Sequence, residues 1–276
     1  MSIFKTHGVA LAALLTLASA HTAHAARLQI VSAGTALDVL EQSATVDGVT
    51  ASRSVTGNLA DGSGVGSVLL SDFQAFGPNA QGMLSVEDGH SHLVAVDASG
   101  ATTSLTLDAS HYWSGTGPAS GLSTYNLTQS LSVDNLILQV VADAGESIGQ
   151  GVTVSFSGLA QALLSGAAQT NNLALTLDVL MGTATMGSYQ GLWSGTATES
   201  VNFSFSAAVG DTLSVLVSGY QDASTSSLLT LPSGVDHSGG VLLQGSFAVT
   251  AVPEPETWGL ALAGLLIAGV AARRRA

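Results

Sequence analysis

Glu87-Asp88-Gly89-His90-Ser91-His92 is the densest run of metal-ligating side chains in this 276-residue sequence. Imidazoles at i and i+2 share one face of an extended segment, and two carboxylates stand just upstream, so the donor types of a divalent-metal site are present. The competing reading is a charged hairpin turn opening at Asp88-Gly89 with solvated histidines. No second His or Cys pair at a ligand spacing accompanies the run, and His111 and His237 stand isolated along the chain, so the turn is the expectation. Gly145-Glu146-Ser147-Ile148-Gly149 matches the G-x-S-x-G pattern of a nucleophile elbow, with Asp178 or Asp211 and then His237 following in hydrolase order. That elbow needs a strand before the serine and a helix after it. Leu136 to Val141 supplies the strand, but Gly151 and the alternating Val152, Val154 and Phe156 replace the helix, so a loop between strands explains the glycines better. Acids beside glycine, as at Asp61-Gly62-Ser63-Gly64 and Asp143-Ala144-Gly145-Glu146, offer oxygen ligands to calcium, yet no loop carries the spaced acids of an EF-hand and turn chemistry alone predicts them. The sequence therefore predicts no catalytic, cofactor or metal site and no enzyme activity. A metal-binding module using His90 and His92, or a cryptic hydrolase, is the alternative.

The elements that would position these residues are strands. Leu173, Leu175, Leu177 and Val179 alternate with Ala174, Thr176 and Asp178, and Val201, Phe203 and Phe205 alternate with Asn202, Ser204 and Ser206, the pattern of half-buried strands. The same period appears at Val152, Val154 and Phe156, at Leu213, Val215 and Val217, and at Leu105 and Leu107. Turn signals punctuate the runs at Asp47-Gly48, Asp61-Gly62, Asp88-Gly89, Gly210-Asp211 and Ser238-Gly239-Gly240. At most one turn of helix is expected in the body, at Leu159 to Leu164. The fold class is all-β: an antiparallel sandwich of jelly-roll type over residues 26–252. Trp113-Ser114-Gly115-Thr116 recurs as Trp193-Ser194-Gly195-Thr196, which a duplicated strand unit or chance would explain; both tryptophans read as core or rim anchors, with stacking on sugar rings the functional alternative.

Composition narrows the partners. Of the six Lys and Arg residues only Arg27 and Arg53 fall in 26–252, against 17 of the 19 acids once Glu254 and Glu256 are set aside, a net charge of −15. Such a surface repels phosphate backbones and excludes nucleic acid as a partner. The acidity also keeps soluble a chain whose mean hydropathy is +0.43. Without cysteine there is no disulfide and no thiolate chemistry.

Both ends carry addresses. Lys5, the apolar run Val9 to Leu17 and Ala23-His24-Ala25 form a signal peptide over 1–25, with signal peptidase reading Ala23 and Ala25. At the other end Val252-Pro253-Glu254-Pro255 precedes an apolar run from Trp258 to Ala272 and then Arg273, Arg274 and Arg275. Three arginines after an uncharged run belong at cytoplasmic headgroups, which places everything upstream outside the cytoplasm. The 15 residues 258–272 span about 22 Å as a helix, short of a ~30 Å hydrocarbon core and so a marginal transmembrane anchor. This order of features over 253–276 resembles the sorting tail of PEP-CTERM proteins, exosortase substrates of Gram-negative bacteria that make exopolysaccharide. The resemblance implies recognition at Pro253, Glu254 and Pro255, retention in the inner membrane by Arg273, Arg274 and Arg275 with the body in the periplasm, and delivery to the cell surface or matrix. That destination, joined to the lack of a convincing catalytic set, points to a non-enzymatic structural or adhesive component of a polysaccharide biofilm.

Overall fold

The computed structural model describes residues 26–252, apart from 47, 60–63, 77–82, 100–101, 117–122, 144–145, 167–169 and 226–234, together with 262–267 and Arg273. Over 57–94, and at 55, 99, 113, 115, 116, 123, 170, 225, 235 and 236, it describes the backbone alone. Twelve strands fill the described body. They are β1 (Ala26–Val46), β2 (Val49–Leu59), β3 (Gly64–Phe76), β4 (Met83–Ser99), β5 (Thr102–Thr116), β6 (Ser123–Ala142), β7 (Gly151–Gly166), β8 (Thr170–Met181), β9 (Ala184–Trp193), β10 (Ala197–Ala208), β11 (Thr212–Thr225) and β12 (Val235–Ala251). Every ladder is antiparallel, and the strands form two six-stranded sheets ordered β2-β1-β6-β11-β8-β9 and β10-β7-β12-β5-β4-β3. The expected all-β sandwich is what the chain forms. Each sheet takes three strands from the first six and three from the last six, so the halves are stitched along β6–β11 and β5–β12.

Alternation fixes the core. Leu173, Leu175, Leu177 and Val179 of β8, Leu213 and Val215 of β11, and Val152, Val154 and Phe156 of β7 are all buried, because a period of two sends every second side chain between the sheets. Phe156 packs against Phe247 at 4.7 Å and Phe203 at 5.3 Å, three register partners in a row across β12, β7 and β10. Gly245 makes room for this row: a Cβ there would lie 2.3 Å from the Phe156 ring.

Two turn expectations are overturned, and the segment that allowed a turn of helix is strand. Asp88-Gly89 lies within β4, not in a hairpin turn, and Ser238-Gly239-Gly240 lies within β12. Gly239 and Gly240 have no positive φ, so in β12 they supply space instead of turn geometry. Leu159 to Leu164 continues strand β7, with Ala160 and Ala162 buried and Leu159 and Leu163 facing out, so its apolar residues serve two faces of a strand instead of one face of a helix. The turns at Gly48 and at Gly210-Asp211 stand where expected, the latter closed by Ala208 N–H donating to the Asp211 carboxylate at 2.8 Å. The two Trp-Ser-Gly-Thr copies sit in non-equivalent places. Trp113 is inside β5, between two neighbours, whereas Trp193 ends the edge strand β9; β1 and β2 form a hairpin while β7 and β8 lie in different sheets, so strand order is not copied in tandem.

Signal-peptide residues 1–25 and most of 253–276 lie outside the described residues. Among the described residues no helix is long and apolar enough to cross a membrane; 262–267 and Arg273 are helical and exposed. The body's termini meet at one end. Ala26 pairs with Ala142, and Val252 N–H donates to the Gly151 carbonyl at 3.2 Å. The opposite end carries Val46 beside Ser123, Thr225 beside Tyr125 and His237 beside Gly166.

Strands of 20 residues must coil to stay packed, and the bend is local. β1 skips a residue between Ile30 and Ser32, β11 between Val215 and Val217, and Gly34 (φ 79°) and Asn135 (φ 60°) take left-handed backbone beside these slips. A Cβ on Gly34 would stand 2.5 Å from the Asp134 carbonyl oxygen. Gly34→Ala is expected to cost about 1–3 kcal/mol in denaturant unfolding, from left-handed strain and the backbone clash. Gly195→Ala, where nothing lies within 4 Å, should change it by less than about 0.5 kcal/mol. Equal losses from the two would refute this account of the bend.

Candidate functional site

Toward the end away from the termini the interior changes character. Asp38 and Gln42 of β1, Gln129 of β6, Gln221 of β11, His111 of β5 and His237 of β12 are all buried there, where continued alternation would otherwise bring Leu and Val. Arg53 donates through both Nε and a terminal nitrogen to the Gln42 side-chain oxygen, and Gln42 Nε2 donates to the Tyr125 hydroxyl at 2.8 Å. Gln129 Nε2 lies 3.5 Å from the Asp38 carboxylate. Among the described residues the Gln221 amide has no hydrogen-bond partner on either atom, and a Cβ on Gly239 would sit 2.2 Å from its nitrogen. The glycine thus opens β12 so that an amide from the facing sheet can enter. Leaving such a group unpaired costs about 1–3 kcal/mol, so this arrangement is not explained by stability.

His111 and His237 lie in this region with ring centres 5.4 Å apart, tilted by 41°. The sequence treats them as isolated, and the structure corrects this: β5 and β12 are neighbours, His111 opposes Gly239, and His237 is two residues away from that glycine. Their parity was legible, since His111 continues the step of two from Leu105 and Leu107. Their adjacency was not, because it depends on β12 inserting beside β5. His90 and His92 are in strand, not in a turn, and oppose His111 and Ala109 in the β4–β5 ladder. Burial pushes the His237 imidazole below its ordinary pKa.

On the outer face of the same ladders runs a groove of about 610 Å³. Tyr112, Ser238 and Ser165 form one rung across β5, β12 and β7, and Ser110, Gly240 and Leu163 the next, with Asp108 two residues along β5. Tyr112 and Leu163 are 40% and 48% exposed. Gly240 keeps the floor low, since a Cβ there would meet the backbone of Ala109 and Ser110 at 2.6–2.7 Å. The Asp108 carboxyl is raised above its ordinary range by burial, opposed by a hydrogen bond from Ser110. Nothing in the sequence pattern marks this groove.

The hydrolase constellation does not assemble. Ser147 lies in the loop at the end of the body where Ala26 and Val252 stand, where its carbonyl accepts from Gln150 N–H at 3.1 Å and Gly149 N–H donates to the Val209 carbonyl at 2.8 Å. His237 is at the other end of the β7–β12 ladder, roughly 45 Å away at about 3.3 Å per residue. Glu146 is engaged in its own loop, accepting from Asp143 N–H at 3.2 Å, and among the described residues no three His, Cys, Asp or Glu gather to hold a metal. Trp193 is a rim anchor: it packs on the core, and its indole N–H donates to Glu199 at 2.7 Å while Tyr189 O–H donates to the same carboxylate at 2.9 Å. Burial and then Glu199 raise the Tyr189 pKa. Ala23, Ala25, Pro253, Glu254, Pro255, Arg274 and Arg275 lie outside the described residues.

Residues 251–275 match the PEP-CTERM protein-sorting motif. The match is to a sorting signal, and it implies export, processing by exosortase and membrane-associated sorting. No curated protein matches the chain. Among solved structures the chain has likeness to TmCBM61 in complex with beta-1,4-galactotriose, at 8% identity, covering 58% of this chain and 88% of that one with a TM-score of 0.20. It also has likeness to infectious bursal disease virus Gx strain, at 10% identity, 84% and 67% coverage and a TM-score of 0.17. Scores this low carry no argument about the site.

The lowered His237 pKa fixes the sign of one pH effect. The unfolded chain takes up a proton at the ordinary value, about 6.5, before the folded chain does, so stability is full above that pH and falls as pH drops toward the folded value. The thermal midpoint should fall between about pH 7 and pH 5, and His237→Gln should flatten the profile over that interval. An unchanged slope in the variant would show that His237 is not the group responsible.

Proposed function

We propose that this is a non-enzymatic matrix or surface protein whose body adheres weakly to extracellular polysaccharide, delivered by its sorting tail. The observation that carries the reading is the join between tail and body. The motif begins at residue 251, the last residue of β12, so the sorting signal follows the body directly in sequence. With the tail in the inner membrane, the end holding Ala26, Ala142 and Gly151 faces the bilayer. The groove opens about 40 Å away, at 3.3 Å per strand residue from Ala251 to Ser238. An exposed phenol flanked by serine hydroxyls and a carboxylate suits a sugar: the ring covers an apolar pyranose face while the oxygens bind hydroxyls. A surface with net charge −15 over 26–252 favours neutral glycans over anionic ones.

Two experiments test the two parts. In a host with exosortase, changing Pro253, Glu254 and Pro255 to alanine should cause the full-length membrane form to accumulate; processing at the wild-type rate, judged by mass and fractionation, refutes the tail's role. Retention of the processed chain on the host's extracted polysaccharide should weaken roughly two- to tenfold in Tyr112→Ala, the scale of one ring contact, with the far-UV circular dichroism unchanged. Undiminished retention would remove the groove from the adhesion reading while leaving the sorting role intact.

A further inference from the structure

The chain has seven histidines, three of them in 1–25, and the remaining four are His90, His92, His111 and His237. All four fall on the three adjacent strands β4, β5 and β12, toward the end away from the termini. His90 directly opposes His111, and opposed positions of a ladder share a face. His92 holds the same parity on β4, opposite Ala109. His237 is the diagonal neighbour of His111 across the β5–β12 ladder. The positions opposing these imidazoles include the smallest residues available, Ala109 and Gly239.

We propose that the juxtaposition of His90, His92, His111 and His237 on these three neighbouring strands marks a binding site for one divalent transition-metal ion of the imidazole-preferring kind, Zn²⁺ in the first instance. Two imidazoles on one tetrahedral ion, each bonded at ~2.0–2.1 Å, hold their ring centres roughly 5 Å apart. The observed 5.4 Å between His111 and His237 is close to that spacing. A strand-borne His-x-His with a third imidazole on the next strand gives ligands from a rigid scaffold, and imidazole donors suit zinc, copper or nickel over magnesium or calcium. A second, independent feature points the same way. The Gln221 amide is 1% exposed, reaches over Gly239 beside His111 and has no hydrogen-bond partner among the described residues, which suits a group that orients a metal-bound water or ligand. Asp38, buried on the facing sheet, lies 3.5 Å from Gln129, the ladder partner of Gln221.

The test uses the processed chain isolated from the exporting host, stripped with a chelator and titrated with Zn²⁺ alone. One ion should bind per chain, and the thermal midpoint should climb with Zn²⁺ concentration, as for any ligand that binds only the folded state. Co²⁺ in place of Zn²⁺ should give the visible absorption of a low-coordinate site. His90→Gln and His111→Gln should each weaken Zn²⁺ binding at least tenfold, whereas Gln221→Leu should leave the stoichiometry at one while altering the Co²⁺ spectrum. The wild-type titration stands without any variant: a folded chain that binds no Zn²⁺ overturns the proposal. So does stoichiometric binding that survives His90→Gln and His111→Gln together. Loss of polysaccharide retention on Tyr112→Ala leaves this site untouched, so the two readings fail separately.

Discussion

Strand β12 is the constraint on which the rest of the body depends. It lies between β7 and β5, pairing from His237 to Ala251 with one and from Val235 to Ala248 with the other, and so joins the early and late halves of its sheet. A strand with two ladder neighbours and a facing sheet has little freedom in side-chain size. This is why it carries Gly239, Gly240 and Gly245 at points where Gln221, the β5 backbone and the Phe156 ring would otherwise collide with a Cβ. Because β12 is the last of the described strands, the sheet cannot close until the chain is complete to residue 251. Closure of the sheet therefore waits on a non-local pairing, of the kind that forms slowly.

How much of this was legible in the sequence depends on which physical rule was decisive. Period-two runs such as Leu173 to Val179 identified strands because one face is buried and one wet, and the sandwich class followed. Strand length was less legible. Asp88-Gly89 and Ser238-Gly239-Gly240 look like turns because glycine tolerates positive φ, yet β12 uses its glycines for space, a demand set by residues far away in sequence. Leu159 to Leu164 misleads for a related reason: Ala160 and Ala162 point to the core while Leu159 and Leu163 line the outside, so both faces read as apolar and the period disappears. For the site, the parity of each histidine was readable, but the neighbour relation of β5 and β12 was not. That relation makes a pair of two residues that look isolated. The groove had no sequence signal, because its residues come from three strands with one or two contributions each.

The two ends of the sandwich are physically unlike. Near the termini the interior is Leu28, Val140, Val154 and Leu213, all at most 2% exposed, and burial of such surface stabilises at about 25 cal/mol per Å². At the far end the interior holds amides, a carboxyl and imidazoles, where an unpaired group such as the Gln221 amide subtracts what its burial would otherwise contribute. The fold can carry that polar end because the apolar end closes the same long strands.

This division places strength and chemistry at opposite ends. A tail pulling on residue 252 acts on the apolar end, where Ala26, Ala142, Gly151 and Val252 meet and where Val252 N–H is tied to Gly151. Local opening follows the weakest packing, so it is expected at the end that holds the Gln221 amide and not beside the tail. A metal ion or glycan bound as proposed would meet the polar end, while the end next to the sorting motif is the apolar, paired one. A body of the opposite polarity would set the unpaired Gln221 amide beside the sorting motif; here the motif instead follows a strand end whose Val252 N–H is held by the Gly151 carbonyl.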